Sequence, residues 1–477
     1  MNEKSIEKTT ILETLKPYDI NCVNKNLDSA MRDFRRKIIV LDDDPTGVQT
    51  VHDIYVYTDW SKESIRQGFD DDKAMFFILT NSRGFTGEET QRMHAEIAEN
   101  IAEVSQATGK DFLIVSRSDS TLRGHYPIET LILKDRIEEL TGKKVDGEII
   151  MPFFVEGGRY TIDNVHYVAD GNTLVPAAST EFAADRTFGY ASSDLREWVE
   201  EKTGGKYSKE SVTCITLDEL RSLDYAGIRQ KLDSITGFNK VVVNAVEYTD
   251  VKVFVTALIK VLEKKNFLFR TAAALPRVIG QVHEKGLLTR EELVNTTNKN
   301  GGFIIVGSHV EKTTRQLERL KELDSISFIE FNCFLVVDDQ ALEQELERVI
   351  QLANENIKKG KTVAVYTRRE RLDVNSGNKE DDLRLAVKIS EAVTTIASSI
   401  TVRPNFIIAK GGITSSDVGT KALEVKKALV LGQILPGIPV WMTGAESRFP
   451  NMPYVIFPGN VGSETALRDA VEIMQIN

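Results

Sequence analysis

Short apolar runs separated by longer helical stretches dominate the chain. Continuous apolar runs that end in Gly, Ser, Thr or Asp are typical of strands buried on both faces of a parallel sheet. The predicted strands form two sets, 37–41, 74–80, 111–116, 147–151 and 240–245, then 303–308, 361–367, 405–412, 438–444 and 454–460. The pattern therefore predicts an α/β protein with two domains, each a mainly parallel sheet flanked by helices, with a cleft between them.

The polar segment NTTNKNGG, residues 295–302, carries no periodicity and predicts the boundary between the two domains. Before the first strand, apolar side chains recur at helical spacing, which predicts an N-terminal helical extension. We therefore expect a helical extension over residues 1–36, a first domain over 37–298 and a second domain over 299–477.

Composition and charge narrow the class of protein. The 477 residues are 41% apolar and 27% charged, which is typical of globular proteins, and the net charge of −11 argues against nucleic acids and anionic membranes as partners. Three cysteines without a CxxC pair favour a reducing cytoplasm over a disulfide framework. No apolar run reaches the ~18 residues of a membrane span, and the N-terminus lacks a signal-peptide core, so neither insertion nor export is expected.

Three consecutive acids follow the first predicted strand. Asp42, Asp43 and Asp44 precede a turn of sequence PTG. Open α/β sheets bind ligands beyond the carboxyl ends of their strands. Adjacent carboxylates repel one another unless cations, ligand hydroxyls or backbone donors compensate. A ligand site is one interpretation of this cluster, and an Asx turn with a helix N-cap is the other.

Arginines follow the next two predicted strands. Arg83 lies in TNSRGF, and Arg117 and Arg123 lie in SRSDSTLRG. Because all these strand ends meet at one edge of the sheet, we expect the arginines to converge there. Guanidinium groups bind carboxylates and phosphates, and the hydroxyls of Ser120 and Thr121 suit those of a sugar. A polyhydroxy acid fits this combination, whereas surface salt bridges and a helix cap are the alternatives.

The segment 152–190 is rich in Gly, Arg, Asp and Tyr and is interpreted as a long irregular loop. Loops of that length inside a compact domain are usually functional. Arg159, His166 and Tyr167 lie in it, and both closure over a substrate and plain loop packing are open roles for them.

Glycines occur at the ends of three predicted strands of the second domain. The residues concerned are Gly307 and Ser308, then Gly411 and Gly412 with Thr414, and finally Gly459, Asn460 and Gly462. Free backbone amides at a strand-to-helix turn favour phosphate, so the pattern predicts a nucleotide held mainly by backbone. Tight turns alone would use the same glycines.

Several standard motifs are missing from the sequence. There is no GxxxxGK[ST] and no GxGxxG after a strand, which disfavours P-loop and Rossmann nucleotide sites. There is also no GxSxG elbow or HExxH, and the six histidines show no metal-ligand spacing. Serine hydrolysis and structural zinc are therefore not expected.

At these positions the sequence resembles the four-carbon acid sugar kinase family, over most of its length. The resemblance is carried by DDDPTG, NSRGF, SDSTLRG, GGRYTIDNVHYV, TEFAAD, FRTAAALPR, VGSHVEKTTRQ, AKGGITSSDVG and PGNVGSE, in that order. It implies ATP-dependent phosphorylation of a hydroxyl on a short sugar acid such as threonate, erythronate or an oxo-tetronate. The third Asp and the proline depart from the family's DDxTG, which extends the expected substrates to branched oxo-acids.

The resemblance also implies which residues bind the ligands. The residues that it implies for the sugar acid are Asp43, Arg83, Asp119, Ser120 and Thr121. Arg117, which stands where many family members have Lys, is expected to bind the acid as well. Those expected to bind ATP are Ser308, Gly411, Gly412, Ile413, Thr414 and Gly459.

For the transfer step, Asp43 is expected to act as general base, with Asp42 as the alternative. Mg²⁺ on ATP, together with Arg123 or Arg117, would neutralise the negative charge that develops on the transferred phosphoryl group. The sequence does not identify the residues that bind the metal. The expected partners are a sugar acid and ATP, and neither nucleic acid nor membrane is expected. The sequence leaves open whether the protein forms a homo-oligomer. The competing hypotheses are a non-catalytic sensor of sugar acid and nucleotide, and a sugar-phosphate hydrolase or isomerase.

Overall fold

The computed structural model describes residues 4–370 and 379–475. The strands within these residues are β1 (Ile6–Glu7), β2 (Lys37–Asp42), β3 (Ile54–Tyr57), β4 (Met75–Leu79), β5 (Phe112–Arg117), β6 (Gly147–Met151), β7 (Arg159–Ile162), β8 (Val165–Asp170), β9 (Thr173–Pro176), β10 (Thr213–Ile215), β11 (Asn239–Val243), β12 (Phe267–Thr271), β13 (Phe303–Val306), β14 (Ile326–Phe331), β15 (Thr362–Thr367), β16 (Ile407–Lys410), β17 (Lys427–Leu435), β18 (Ile438–Thr443) and β19 (Pro453–Phe457). Each apolar run predicted to be a strand forms one.

The helices lie mostly between strands, as expected for an α/β fold. They are α1 (Lys8–Thr14), α2 (Ile20–Met31), α3 (Lys62–Asp70), α4 (Gly87–Thr108), α5 (Ile128–Thr141), α6 (Leu195–Lys202), α7 (Leu217–Arg221), α8 (Tyr225–Ser234), α9 (Tyr248–Val261), α10 (Ala274–Ile279), α11 (Arg290–Leu293), α12 (Glu311–Leu320), α13 (Asp339–Lys358), α14 (Lys379–Ser398), α15 (Gly412–Asp417) and α16 (Ala466–Met474). None of the helices described here is long and apolar enough to cross a bilayer.

The chain folds as two compact units. The first consists of Met1–Thr50 and Asp59–His283, and the second of Val51–Thr58 and Glu284–Asn477. The predicted α/β class, with two domains built on mainly parallel sheets, is confirmed.

The first unit is built on a parallel sheet of order β10-β11-β6-β12-β5-β2-β4. Every residue of β2 and β4 is buried, which agrees with their continuous apolar sequences. Strand β2 lies between β4 and β5, and Asp42 pairs in register with Leu79 on one side and Arg117 on the other. The carboxyl ends of these three strands therefore lie side by side.

A small antiparallel sheet of order β1-β9-β8-β7 belongs to the same unit. It occupies much of the segment 152–190, so the interpretation of that segment as irregular was wrong. Asp163 and Asn164 join β7 to β8 with φ values of 50° and 69°, the positive pair that a two-residue type I′ hairpin turn requires. These strands are only four to six residues long, so their alternation gives a weak sequence signal.

The N-terminal extension contributes to this unit through a strand and two helices. Ile6 of β1 pairs with Leu174 of β9, and α2 packs on α9. The Tyr18 hydroxyl donates a hydrogen bond of 2.7 Å to the buried carboxylate of Asp250. The extension is thus packed on the first unit, and Val23 is among the residues it buries.

The second unit combines a parallel and an antiparallel part. Strands β14-β15-β13-β16-β19 are parallel, and β18, β17 and β3 continue the sheet antiparallel to their neighbours. Residues of β17 alternate between buried and partly exposed, unlike the continuous apolar runs, so the sequence pattern missed this strand. The carboxyl ends of β13, β16 and β19 lie at one edge of the sheet.

Candidate functional site

The acid cluster at the end of β2 divides between two roles. Asp44 accepts hydrogen bonds from the backbone N–H of Thr46 at 2.8 Å and from its hydroxyl at 2.5 Å, which is an Asx turn. Gly47 lets the carboxylate of Asp42 lie against this segment, because a Cβ there would lie 2.0 Å from an oxygen of Asp42. The carboxylates of Asp42 and Asp43 are buried and contact arginines, and the second oxygen of Asp44 also contacts Arg83. Asp44 thus forms the Asx turn, whereas a ligand site at Asp42 and Asp43 stays a prediction.

Arg83 links the acids that end β2 with the turn after β5. Its Nε lies 3.2 Å from Asp43 Oδ2, its Nη2 2.5 Å from Asp44 Oδ2, and its Nη1 3.8 Å from Asp119 Oδ1. The backbone N–H of Asp119 donates to Asp43 Oδ2 at 3.3 Å. Arg117 completes the cluster, with Nη1 at 3.3 Å from Asp42 Oδ1 and 3.7 Å from Asp43 Oδ1.

Arg123 extends this cluster towards the small antiparallel sheet. Its Nε donates to Asp119 Oδ2 at 2.7 Å, and its Nη1 lies 3.8 Å from Asp185. Its guanidinium also lies 5.1 Å from the ring centroid of Phe182, a cation–π distance. The carboxylate of Asp119 further accepts a short hydrogen bond from the hydroxyl of Thr121.

His166 connects the hairpin β7–β8 to the same turn. Its Nε2 lies 2.8 Å from the carbonyl oxygen of Ser120, and its Nδ1 lies 3.0 Å from the hydroxyl of Thr161. The ring is fully buried, and burial lowers its pKa to about 4. His166 is therefore neutral near pH 7 and holds the Ser120 turn through hydrogen bonds.

Burial and the neighbouring arginines shift the pKa values of the carboxylates in opposite directions. Burial raises the pKa of Asp42 to about 7 and that of Asp43 to about 6, although Arg117 lowers the first and Arg83 the second. For Asp119, burial is outweighed by Arg83 and Arg123, which hold its pKa well below the usual range. Asp42 and Asp43, whose pKa values lie near neutral pH, are thus close to Asp119, which stays ionised.

Two buried charged residues next to this cluster were not predicted as site residues. Arg270 of β12 donates from Nη2 to the carbonyl oxygen of Arg123 at 2.8 Å, while its buried Nη1 has no hydrogen-bond acceptor in the part of the chain that the structure describes. Glu129 of α5 accepts from the hydroxyl of Ser82 at 2.6 Å. A charge inside the apolar strand FLFRT was the available signal for Arg270. Sequence offers no comparable signal for Glu129, which lies on a helix.

The second unit contains a cavity of about 910 Å³ next to the glycine turns. Its lining includes Gly307, Ser308, His309, Val310, Cys333, Arg369, Leu385, Ile389, Gly411, Gly412, Ile413 and Thr414. The volume lies within the range of small-molecule sites. Five of the six residues predicted to bind ATP therefore line one cavity.

Close packing at the ends of β13 and β16 explains the glycine at position 411. Gly411 has a φ of 127°, and a Cβ there would lie 3.0 Å from Thr414 Oγ1 and 3.1 Å from Ser308 Cβ. Beyond it, a Cβ at Gly412 would meet no atom of the described residues within 4 Å, apart from its chain neighbours and the backbone of its own helix. The backbone of this turn is thus held tightly on one side and open on the other, as backbone recognition of a ligand requires.

Gly459, the sixth predicted residue, lies beside the same turns. A Cβ there would be 3.3 Å from Ser308 Oγ, and its carbonyl oxygen accepts from Thr313 Oγ1 at 3.2 Å. The fully buried ammonium of Lys410 also donates to this carbonyl at 2.9 Å and to that of Pro458 at 2.5 Å. Burial lowers the pKa of Lys410 to about 7. Lys410 thus joins the ends of β16 and β19, a role that the sequence analysis missed.

Comparison with protein families agrees with this division of the chain. Residues 38–279 match the family described as the sugar-binding N-terminal domain, and residues 303–467 match the nucleotide-binding C-terminal domain. The chain belongs to the four-carbon acid sugar kinase family. This kinase-family chain has no significant match among curated proteins.

Solved structures share the fold of this kinase-family chain. Haemophilus influenzae protein HI1011, of family DUF1537, is 16% identical, with a TM-score of 0.63 over 91% of this chain and 99% of its own. A Salmonella typhimurium LT2 protein, provisionally described as a tRNA synthase, is 15% identical, with a TM-score of 0.64 over 92% and 99%. At these identities the likeness concerns the fold.

Proposed function

We propose that this protein is an ATP-dependent kinase that phosphorylates a hydroxyl of a short sugar acid, such as threonate, erythronate, an oxo-tetronate or a related branched oxo-acid. The observation that carries the proposal is the buried acid Asp43, which has a pKa of about 6 and lies between Arg83 and Arg117. A general base works best when its pKa lies near the operating pH.

In this proposal the sugar acid binds at the carboxyl ends of β2, β4 and β5. Asp43 Oδ1 is buried and accepts no hydrogen bond from the described residues, so it has the capacity to accept one from a substrate hydroxyl. Arg83 and Arg117 already contact carboxylates of the protein, so the substrate carboxylate would share or replace those contacts. Asp119, Ser120 and Thr121 supply the polar turn beside them.

ATP is proposed to bind in the cavity lined by Ser308 and Gly411 to Thr414. The open backbone at Gly412 and the cavity volume fit a nucleotide held by backbone amides. We propose that Mg²⁺ accompanies ATP, where it would neutralise charge on the phosphates during transfer.

The chemical step transfers the γ-phosphoryl group to the substrate hydroxyl. The hydroxyl proton passes to Asp43, or to Asp42 in the alternative assignment, as the new O–P bond forms. The bond between the γ-phosphorus and the bridging oxygen breaks, and ADP leaves. Arg123 or Arg117 is proposed to neutralise the charge that spreads over the transferred group.

The test is a search for acid-dependent ADP release. The protein is incubated with ATP, Mg²⁺ and a panel of tetronic, oxo-tetronic and branched oxo-acids, and the products are identified by mass. We expect ADP and a phosphorylated acid in equal amounts with at least one member. Binding of acid and ATP without ADP release would contradict the proposal in favour of a sensor. Turnover of a sugar phosphate without ATP would favour a hydrolase or isomerase.

A further inference from the structure

Arg369 follows β15 and lines the cavity of the second unit, where no sequence motif drew attention to it. Its Nη2 donates to the carbonyl oxygen of Ser308 at 2.6 Å and to Thr314 Oγ1 at 2.9 Å. Its Nε lies 3.3 Å from the same Thr314 hydroxyl, and its Nη1 makes a long contact of 3.4 Å with Thr367 Oγ1. The side chain thus links the end of β15 to the turn that precedes α12.

The charge of Arg369 is not balanced by the groups it touches. Each oxygen that its guanidinium contacts in the described structure is neutral, a carbonyl or a hydroxyl. Arg83 of the first unit, by contrast, contacts the carboxylates of Asp43, Asp44 and Asp119. Burial lowers the pKa of Arg369, so its charge is held at a cost that a bound anion would offset.

The guanidinium also keeps a donor for a ligand. It carries five N–H groups, and its four contacts with the described residues leave one of them, on Nη1, without an acceptor among those residues. The contacted carbonyl of Ser308 lies just before α12, a ten-residue helix that begins at Glu311. Backbone amides at the start of such a helix attract anions, so an anion placed there would meet both the amides and Arg369.

We propose that Arg369 binds a phosphate group of the nucleotide in this cavity. The inference rests on the proposed function, because it takes the cavity ligand to be a nucleotide. The guanidinium adds positive charge beside the glycine turns, and its contacts with Ser308 and Thr314 hold it in place.

The test is nucleotide affinity, measured by calorimetric titration of the full chain without sugar acid. ATP, ADP and adenosine are titrated into the wild type and the Arg369→Gln variant. A hydrogen bond to a charged group corresponds to a change of about 10- to 100-fold in affinity. We expect Arg369→Gln to weaken ATP and ADP binding by about this factor and to leave adenosine within about twofold.

Two further variants separate charge from structure. Arg369→Lys retains the charge without the planar fork, so we expect a smaller loss for ATP than with Arg369→Gln. Thr314→Val removes a contact of Arg369 and keeps the guanidinium, so we expect less loss than with either. Thermal unfolding of each variant checks that it folds.

Unchanged ATP affinity in folded Arg369→Gln would overturn the inference, as would an equal loss for adenosine, which would indicate a structural role. If the wild type phosphorylates a sugar acid while Arg369→Gln keeps its ATP affinity, this inference alone is wrong. If the wild type binds no nucleotide, the proposed function is wrong as well.

Discussion

Replacing Asp43 by Asn tests the proposed base directly. The substitution keeps the shape of the side chain and removes both its charge and its capacity to take a proton. Arg83 would keep its contacts with Asp44 and Asp119, so we expect the turn to stay in place and the affinity for the sugar acid to change little. Loss of a positioned general base lowers turnover by about 10²- to 10⁴-fold, and we expect kcat to fall in that range.

The pH dependence of the wild type gives the second part of this prediction. With a pKa of about 6, Asp43 is ionised to only ~9% at pH 5 and to ~97% at pH 7.5. Because only the ionised form accepts a proton, we expect kcat/KM to rise at least about tenfold between these pH values. Asp42 titrates close by, at about 7, so the observed midpoint belongs to the pair and lies between about 6 and 7.

The assay is ADP release followed from pH 5 to 8.5 with the acid identified in the panel. Asp135→Asn, at an exposed site on α5, is the matched control and should leave the profile unchanged. The assignment of Asp43 as general base would be refuted if Asp43→Asn kept turnover within threefold of wild type and if its activity still fell at acid pH as in the wild type. If Asp42→Asn alone then removes turnover, the base is Asp42.

The other predictions concern the surroundings of both sites. Glu129 raises the pKa of the proposed base, so Glu129→Gln should move the acid limb of kcat/KM to lower pH; a shift to higher pH would contradict the electrostatic account. Gly411→Ala should weaken ATP binding at least tenfold in a titration, whereas Gly109→Ala, also at positive φ but at the end of α4, should not. Glu148 and Lys240 form a fully buried ion pair at 2.7 Å. Glu148→Gln should therefore lower the urea-unfolding free energy by about 3–5 kcal/mol, a loss that a paired Glu148→Leu and Lys240→Met variant should largely recover.

Much of the first site follows from strand ends that are readable in the sequence. Continuous apolar runs predict buried parallel strands, and parallel strands bring their carboxyl ends to one edge. Asp43, Arg83 and Arg117 were expected to converge for that reason, and they do. The predicted roles of these residues stay predictions, since convergence does not show what they bind.

Other features depend on neighbours that are distant in the sequence. Glu129 looks like an ordinary helix residue until packing brings it to the acid cluster, and the sequence shows that Arg270 is an unusual charge in an apolar strand but not what it contacts. Arg369 likewise becomes a candidate ligand-binding residue only when the structure shows the neutral oxygens around it and the cavity that it lines. The hairpin β7–β8 was missed because its strands are short, although its two-residue turn is a local signal.

The sequence by itself determined the α/β class, the strand ends that carry chemistry and the family resemblance, because these depend on local periodicity and short motifs. Only the tertiary structure decided the protonation behaviour of the acids. Asp42, Asp43, Asp44 and Asp119 are the same residue type, yet burial raises the pKa of the first two and arginine contacts lower that of the others. The balance between desolvation and ion pairing is a property of three-dimensional packing.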